Sequence, residues 1–100
     1  MSARYGAHMP RYLVERTFEI ALDVPSGQSG SELLRSIVGC NSDRRVTWVV
    51  SYVSVDRFRT FCVYDAPSPE AIRRAAHSNG LPVERITEIS VLDPYAYHAR

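Results

Sequence analysis

No stretch of the chain approaches the roughly twenty consecutive apolar residues that a membrane-spanning helix needs, and the opening MSARYGAHMPRY carries no apolar segment of the kind that marks a secretory signal. Cysteine is scarce. Cys40 and Cys62 are the only two, too few for the disulfide framework of a small secreted domain, and nothing in their spacing requires them to pair. Local catalytic motifs are missing as well: there is no CxxC, HExxH, GxGxxG, P-loop or GxSxG, and no Ser-His-Asp assembly can be read from spacing. Basic residues do not run together, and the formal net charge is only +1, which argues against a dedicated nucleic-acid binder. These absences lead to an expectation of a cytoplasmic protein with no membrane and no nucleic-acid partner. They leave no catalytic residue to assign.

What is present is ordinary for a globular domain: 100 residues, 45% hydrophobic and 23% charged, enough for one domain around one core. Residues 1–8 are small and unpatterned and are expected to form a flexible extension, with residues 9–100 as a single domain. Arg11 to Phe18 alternates, with Tyr12, Val14, Arg16 and Phe18 on one face and Leu13, Glu15 and Thr17 on the other, the period of a strand. DVPSGQSGS, residues 23–31, is a loop, and Ser31 is placed to cap a helix running to about Asn41. VTWVVSYVS (46–54) and Phe58 to Tyr64 read as two strands joined by a turn at Asp56-Arg57, an antiparallel hairpin. A second helix is punctuated at both ends. Ser68 can cap it, Pro69 suits its first position, Glu70 favours its positive end, and Asn79-Gly80 with Pro82 closes it. Val83 to Leu92 is a last strand, followed by Asp93-Pro94 and an aromatic tail of Tyr95, Tyr97 and His98.

The order βαββαβ predicts an α+β, ferredoxin-like domain: one four-stranded antiparallel sheet with two helices on one face. Helices cover only one face of such a sheet, yet Trp48 and Tyr52 point opposite to Val49 and Val53, so both faces are apolar or aromatic. The uncovered face calls for a cover, and a second copy supplies one. The expectation is a homodimer with a barrel-like cavity between two sheets.

The period of two, with Val14, Phe18, Val49, Val53, Phe61, Val63, Ile89 and Val91 set against the helices, turns Glu15, Trp48, Tyr52, Cys62 and Tyr64 into that cavity. An apolar lining with carboxylates, a thiol and phenols is the general make-up of a small-ligand site. Glu15 has two readings. It forms a salt bridge with Arg16, Arg59 or Arg85, or it is a buried carboxylate that is protonated or metal-bound. Cys62 is a small buried hydrophobe or a thiolate ligand. His77, in the last turns of the second helix, complements the helix dipole from the exposed side.

PRYLVERTF, VTWVVSYVS, RTFCVYDAPSPEAIRRAAHSNGLP and VERITEISVLDP resemble a family of small bacterial proteins carried as a domain of unknown function and often titled nickel-binding protein. The resemblance spans roughly residues 10–95. It implies a ferredoxin-like dimer with nickel held between the two sheets, and the matching inward positions are Glu15, Trp48, Tyr52, Cys62 and Tyr64. It further implies a divalent metal cofactor, nickel, with Glu15 and Cys62 as ligands. This chain departs from many relatives by carrying Val50 and Ala75 where they have histidine, a preferred nickel ligand. The function expected is therefore a homodimeric small-ligand binding protein that takes a divalent metal ion. The alternative is an enzyme or carrier acting on a small organic molecule in the same cavity, as dimeric α+β barrel monooxygenases and isomerases do, with Tyr52, Tyr64 and Glu15 orienting the ligand.

Overall fold

The structure is a computed structural model that describes residues 9–97. The expected flexible extension at residues 1–8, and His98 in the tail, lie outside the described residues. Seven elements follow in order: β1 (Arg11–Thr17), α1 (Gln28–Asp43), β2 (Thr47–Val53), β3 (Arg59–Asp65), α2 (Pro69–Asn79), β4 (Arg85–Ile89) and a short α3 (Pro94–Tyr97). The four strands form one sheet in the order β2-β3-β1-β4 with every neighbouring pair antiparallel, which is the ferredoxin-like topology. No helix is long and apolar enough to cross a membrane among the described residues.

The two central strands set the register of the whole sheet. In β1, Tyr12, Val14 and Arg16 are buried while Leu13 and Glu15 are half-buried on the other face. Their partners in β3 are Tyr64, Cys62 and Thr60 respectively, so these six side chains share one face. α2 packs on that face through a stripe of Ala71, Ile72, Ala75 and Ala76, all buried. The alanines leave room, and the phenol rings of Tyr12 and Tyr64 fill it. The opposite, open face carries Leu13, Glu15, Phe61 and Val63.

The expected facing of β3 was the reverse, with Phe61 and Val63 against the helices. Both alternate sets of β3 are apolar, so periodicity finds the strand without saying which set faces inward, and pairing with β1 decides it. The same correction applies to Ile89. It is paired with Arg11 and lies on the open face, whereas Ile86, paired with Val14, packs against the core. β4 is also shorter than the expected 83–92. In β2 the register shifts between Trp48 and Val50, so Trp48 pairs with Tyr64 on the helix face while Val50 and Tyr52 pair with Val63 and Phe61 on the open face. A bulge of this kind inserts one residue and inverts the alternation beyond it.

α2 is built as its sequence requires. The Ser68 hydroxyl accepts a hydrogen bond from the Ala71 backbone N–H at 3.2 Å, and Gly80 closes the helix at φ 68° with the Leu81 N–H reaching the Ala76 carbonyl at 2.9 Å. α1 is capped four residues before the expected Ser31. Its cap is Gly27 at φ 78°, which offers no side-chain oxygen for a sequence reader to find. Ser31 lies inside the first turn and returns its hydroxyl to the Gly27 carbonyl at 3.2 Å. Gly30 is required there, since a Cβ would collide with the Pro25 carbonyl oxygen. Apart from Gly30 and Asn41, α1 buries none of its residues fully. It is held at its C-terminal end, where Asn79 donates to the Asn41 side-chain oxygen at 3.1 Å.

Candidate functional site

The sheet separates two surfaces that could bind something. On the open face, Leu13, Val50, Tyr52, Phe61 and Val63 form an apolar and aromatic centre, and Tyr52 is 62% exposed. Charges of both signs surround it. The Arg59 guanidinium lies 3.5 Å from both the Glu15 and the Glu84 carboxylates and stacks over the Phe61 ring, 5.0 Å from its centroid. At the other end of the face Arg11 and Asp65 form a two-pronged ion pair at 2.7 and 3.0 Å. That pairing raises the Arg11 pKa above its ordinary value, with the hydrogen bond to Asp65 as the main cause.

On the helix face a cavity of about 430 Å3 opens between α1 and the sheet. Leu33, Leu34 and Ile37 of α1 form one wall, and Phe18, Trp48 and Val53 belong to the other. From the sheet, Arg16, Ser51, Thr60, Cys62 and Tyr64 bring polar groups to this space, and Asp23, Ser36, Ser78 and Asn79 add polar side chains from the surrounding loops and helices. Arg16 is only 3% exposed. One terminal nitrogen donates to the Pro82 carbonyl at 2.6 Å and the other to the Tyr64 hydroxyl at 3.1 Å, so both partners are neutral. Burial pushes the Tyr64 phenol above its ordinary pKa, and the charge of Arg16 opposes that rise. Thr60, opposite Arg16 in the β1–β3 register, has a buried hydroxyl with no hydrogen-bond partner among the described residues. Trp48 is fixed in the wall by its indole N–H, which donates to Ser51 at 2.7 Å.

The residues expected to line one inter-sheet cavity are thus divided between two surfaces. Glu15 and Tyr52 lie on the open face. Trp48, Cys62 and Tyr64 lie on the helix face, against the expectation, because β3 pairs Cys62 with Val14 and Tyr64 with Tyr12, and Tyr64 in turn pairs with Trp48. Glu15 and Cys62, the expected metal ligands, project from opposite sides of the sheet and cannot share an ion within one chain. Glu15 takes the bland partner foreseen for it, Arg59. His77 is exposed in the last turn of α2. Among the described residues no three His, Cys, Asp or Glu side chains come together as a metal site would require. Sequence reading missed the roles of Arg16 and Thr60. The signal was there for Arg16, since it sits on the same alternating face as Tyr12 and Val14.

No curated protein matches the chain. The crystal structure of SCO4226 from Streptomyces coelicolor A3(2) is similar in fold, with a TM-score of 0.64 over 83% of this chain and 99% of that one, at 13% sequence identity. At that identity the likeness speaks for the fold alone. A family model described as "Nickel responsive protein SCO4226-like" matches residues 12–89, from the second residue of β1 to the last of β4. The match takes in the whole sheet and both long helices, and the chain belongs to this SCO4226-like family of nickel responsive proteins.

Proposed function

We propose that this protein is a homodimeric small-ligand binding protein, closed by pairing the open sheet face of one copy with that of another. The observation that carries the reading is the composition of that face. Val50 and Tyr52 remain 40% and 62% exposed beside the half-buried Leu13 and Phe61, an apolar surface of the kind that proteins cover. A second copy is the fitting occupant because the face is self-complementary: an apolar centre flanked by the Arg59 and Glu15 charges on one side and by Arg11 and Asp65 on the other. A two-fold axis brings like patches together and lets opposite charges cross.

Nickel enters through the family's description. The described residues of one chain do not fit a resident nickel centre. Glu15 is the single candidate ligand on the open face that the sequence singled out, its carboxylate is engaged by Arg59, and Cys62 is on the far side of the sheet. Nickel binding by this protein therefore requires donors from a second copy or from beyond residues 9–97.

Sedimentation velocity and equilibrium dialysis against nickel test both statements together. The intact chain is expected to sediment at twice its monomer mass, and Tyr52→Glu, which sets a charge into the apolar centre, to sediment as a monomer with unchanged circular dichroism. Any nickel retained by the dimer is expected to be lost from the Tyr52→Glu monomer. A monomeric intact chain contradicts the dimer, and nickel retained stoichiometrically by the monomeric variant rules out the second copy as the source of donors and leaves the residues beyond 9–97.

A further inference from the structure

We propose that the cavity between α1 and the sheet is a binding site for a small monocarboxylic acid, whose carboxylate is received by Arg16 and Thr60 and whose aromatic or branched apolar body lies along Phe18, Leu34, Ile37 and Trp48. This site lies on the opposite side of the sheet from the dimer face and does not rest on it.

Three independent observations converge. The first is an uncompensated buried charge. A guanidinium carries five donors and stays ionised. Arg16, 3% exposed, has no carboxylate within ion-pairing distance among the described residues, and its two hydrogen bonds go to a carbonyl and a phenol. A buried cation without an anion is costly, and a ligand anion removes that cost. The second is the Thr60 hydroxyl, also on a residue 3% exposed and with no hydrogen-bond partner among the described residues. It stands directly across from Arg16 on the same face. Unpartnered buried hydroxyls are uncommon in folded proteins, and this one borders a cavity where it can donate to the same carboxylate. The third is the space. About 430 Å3 lies within the range of small-molecule sites, and its walls are mainly aliphatic and aromatic, with Ser36, Ser51, Ser78, Asn79 and the exposed Asp23 as the other polar residues.

The chemical class follows from the count of donors. One guanidinium and one hydroxyl balance a single negative charge, whereas a phosphate dianion needs more cations than the cavity contains, and the exposed carboxylate of Asp23, also in the lining, further disfavours a second negative charge. The apolar walls select a hydrophobic body over a hydrophilic acid such as lactate. Tyr64 has a supporting part: its hydroxyl accepts from Arg16 and holds the guanidinium at the cavity edge.

Trp48 is the only tryptophan of the chain and forms part of the cavity wall, so its fluorescence reports occupancy directly. Titration of the intact protein with 3-phenylpropionate, octanoate and lactate, each beside its uncharged amide, tests the site. Saturable quenching is expected for the two hydrophobic acids, with at least tenfold weaker binding of their amides and of lactate. Arg16→Gln is expected to abolish the preference for acid over amide. Because Arg16 also ties β1 to the Pro82 loop, that variant can fail to fold. Thr60→Val, nearly isosteric, provides the second reading and is expected to weaken acid binding several-fold while leaving amide binding unchanged. Equal affinity for acid and amide, no saturable binding of either hydrophobic acid, or unaltered acid binding in Thr60→Val would overturn the proposal.

Discussion

Thr60 and Arg16 face each other across β1 and β3, and both are buried at some cost. The Thr60 hydroxyl makes no hydrogen bond among the described residues, so replacing it with a methyl group of similar size removes a desolvated polar atom and breaks no bond seen there. Thr60→Val is accordingly expected to leave stability unchanged or raise it by about 1 kcal/mol, measured as the urea midpoint at constant slope. A loss of 1 kcal/mol or more would show that the hydroxyl has a stabilising partner after all. Tyr64 provides a residue-scale test against pH. Its pKa in the folded state is raised by burial, so its contribution is complete below the ordinary phenol value and is lost as pH climbs from about 10 through the raised folded value. The chain contains no lysine, which leaves tyrosine and cysteine as the side chains that titrate in the alkaline range below arginine. Tyr64→Phe is expected to lower stability at pH 7, where the hydrogen bond from Arg16 is lost, and to flatten the fall in stability above pH 10. An alkaline fall as steep as that of the unaltered protein would place the responsible group elsewhere.

At the scale of elements, α2 and β3 illustrate what the amino-acid order does and does not reveal. α2 was legible to its ends because its signals are local: a hydroxyl at the cap, proline at the first position, and glycine where the backbone turns left-handed. Ser68→Ala removes the bond to the Ala71 N–H and is expected to cost about 1 kcal/mol, read from thermal or urea unfolding. A cost near zero would mean that solvent replaces the cap. The start of α1 was not legible, since Gly27 caps without a side chain. The facing of β3 was not legible either. Phe61 and Val63 are as apolar as Cys62 and Tyr64, and only the long-range pairing with β1 selects between the two sets. The bulge at Trp48–Val50 added a second inversion that no local signal announces. From these two inversions follows the main revision of the candidate site, the separation of Glu15 and Tyr52 from Trp48, Cys62 and Tyr64.

At the scale of the whole molecule, a single sheet presents two different opportunities for binding. One face receives α2 and, more loosely, α1, leaving a cavity edged by a buried arginine. The other carries exposed valine and tyrosine that the described residues leave uncovered. The chain belongs to a family of nickel responsive proteins, and the described residues assign no metal centre to one chain. α1 also exposes apolar side chains, among them Leu33 and Val38 at 44% and 47%, so a second apolar surface competes with the sheet for any partner. The measurement that distinguishes them is an isotope-filtered NOE experiment on an equimolar mixture of labelled and unlabelled protein. The dimer proposed above predicts contacts between copies at Val50, Tyr52 and Phe61 and none at Leu33 or Val38. Contacts confined to α1, or no contacts between copies at all, would contradict it.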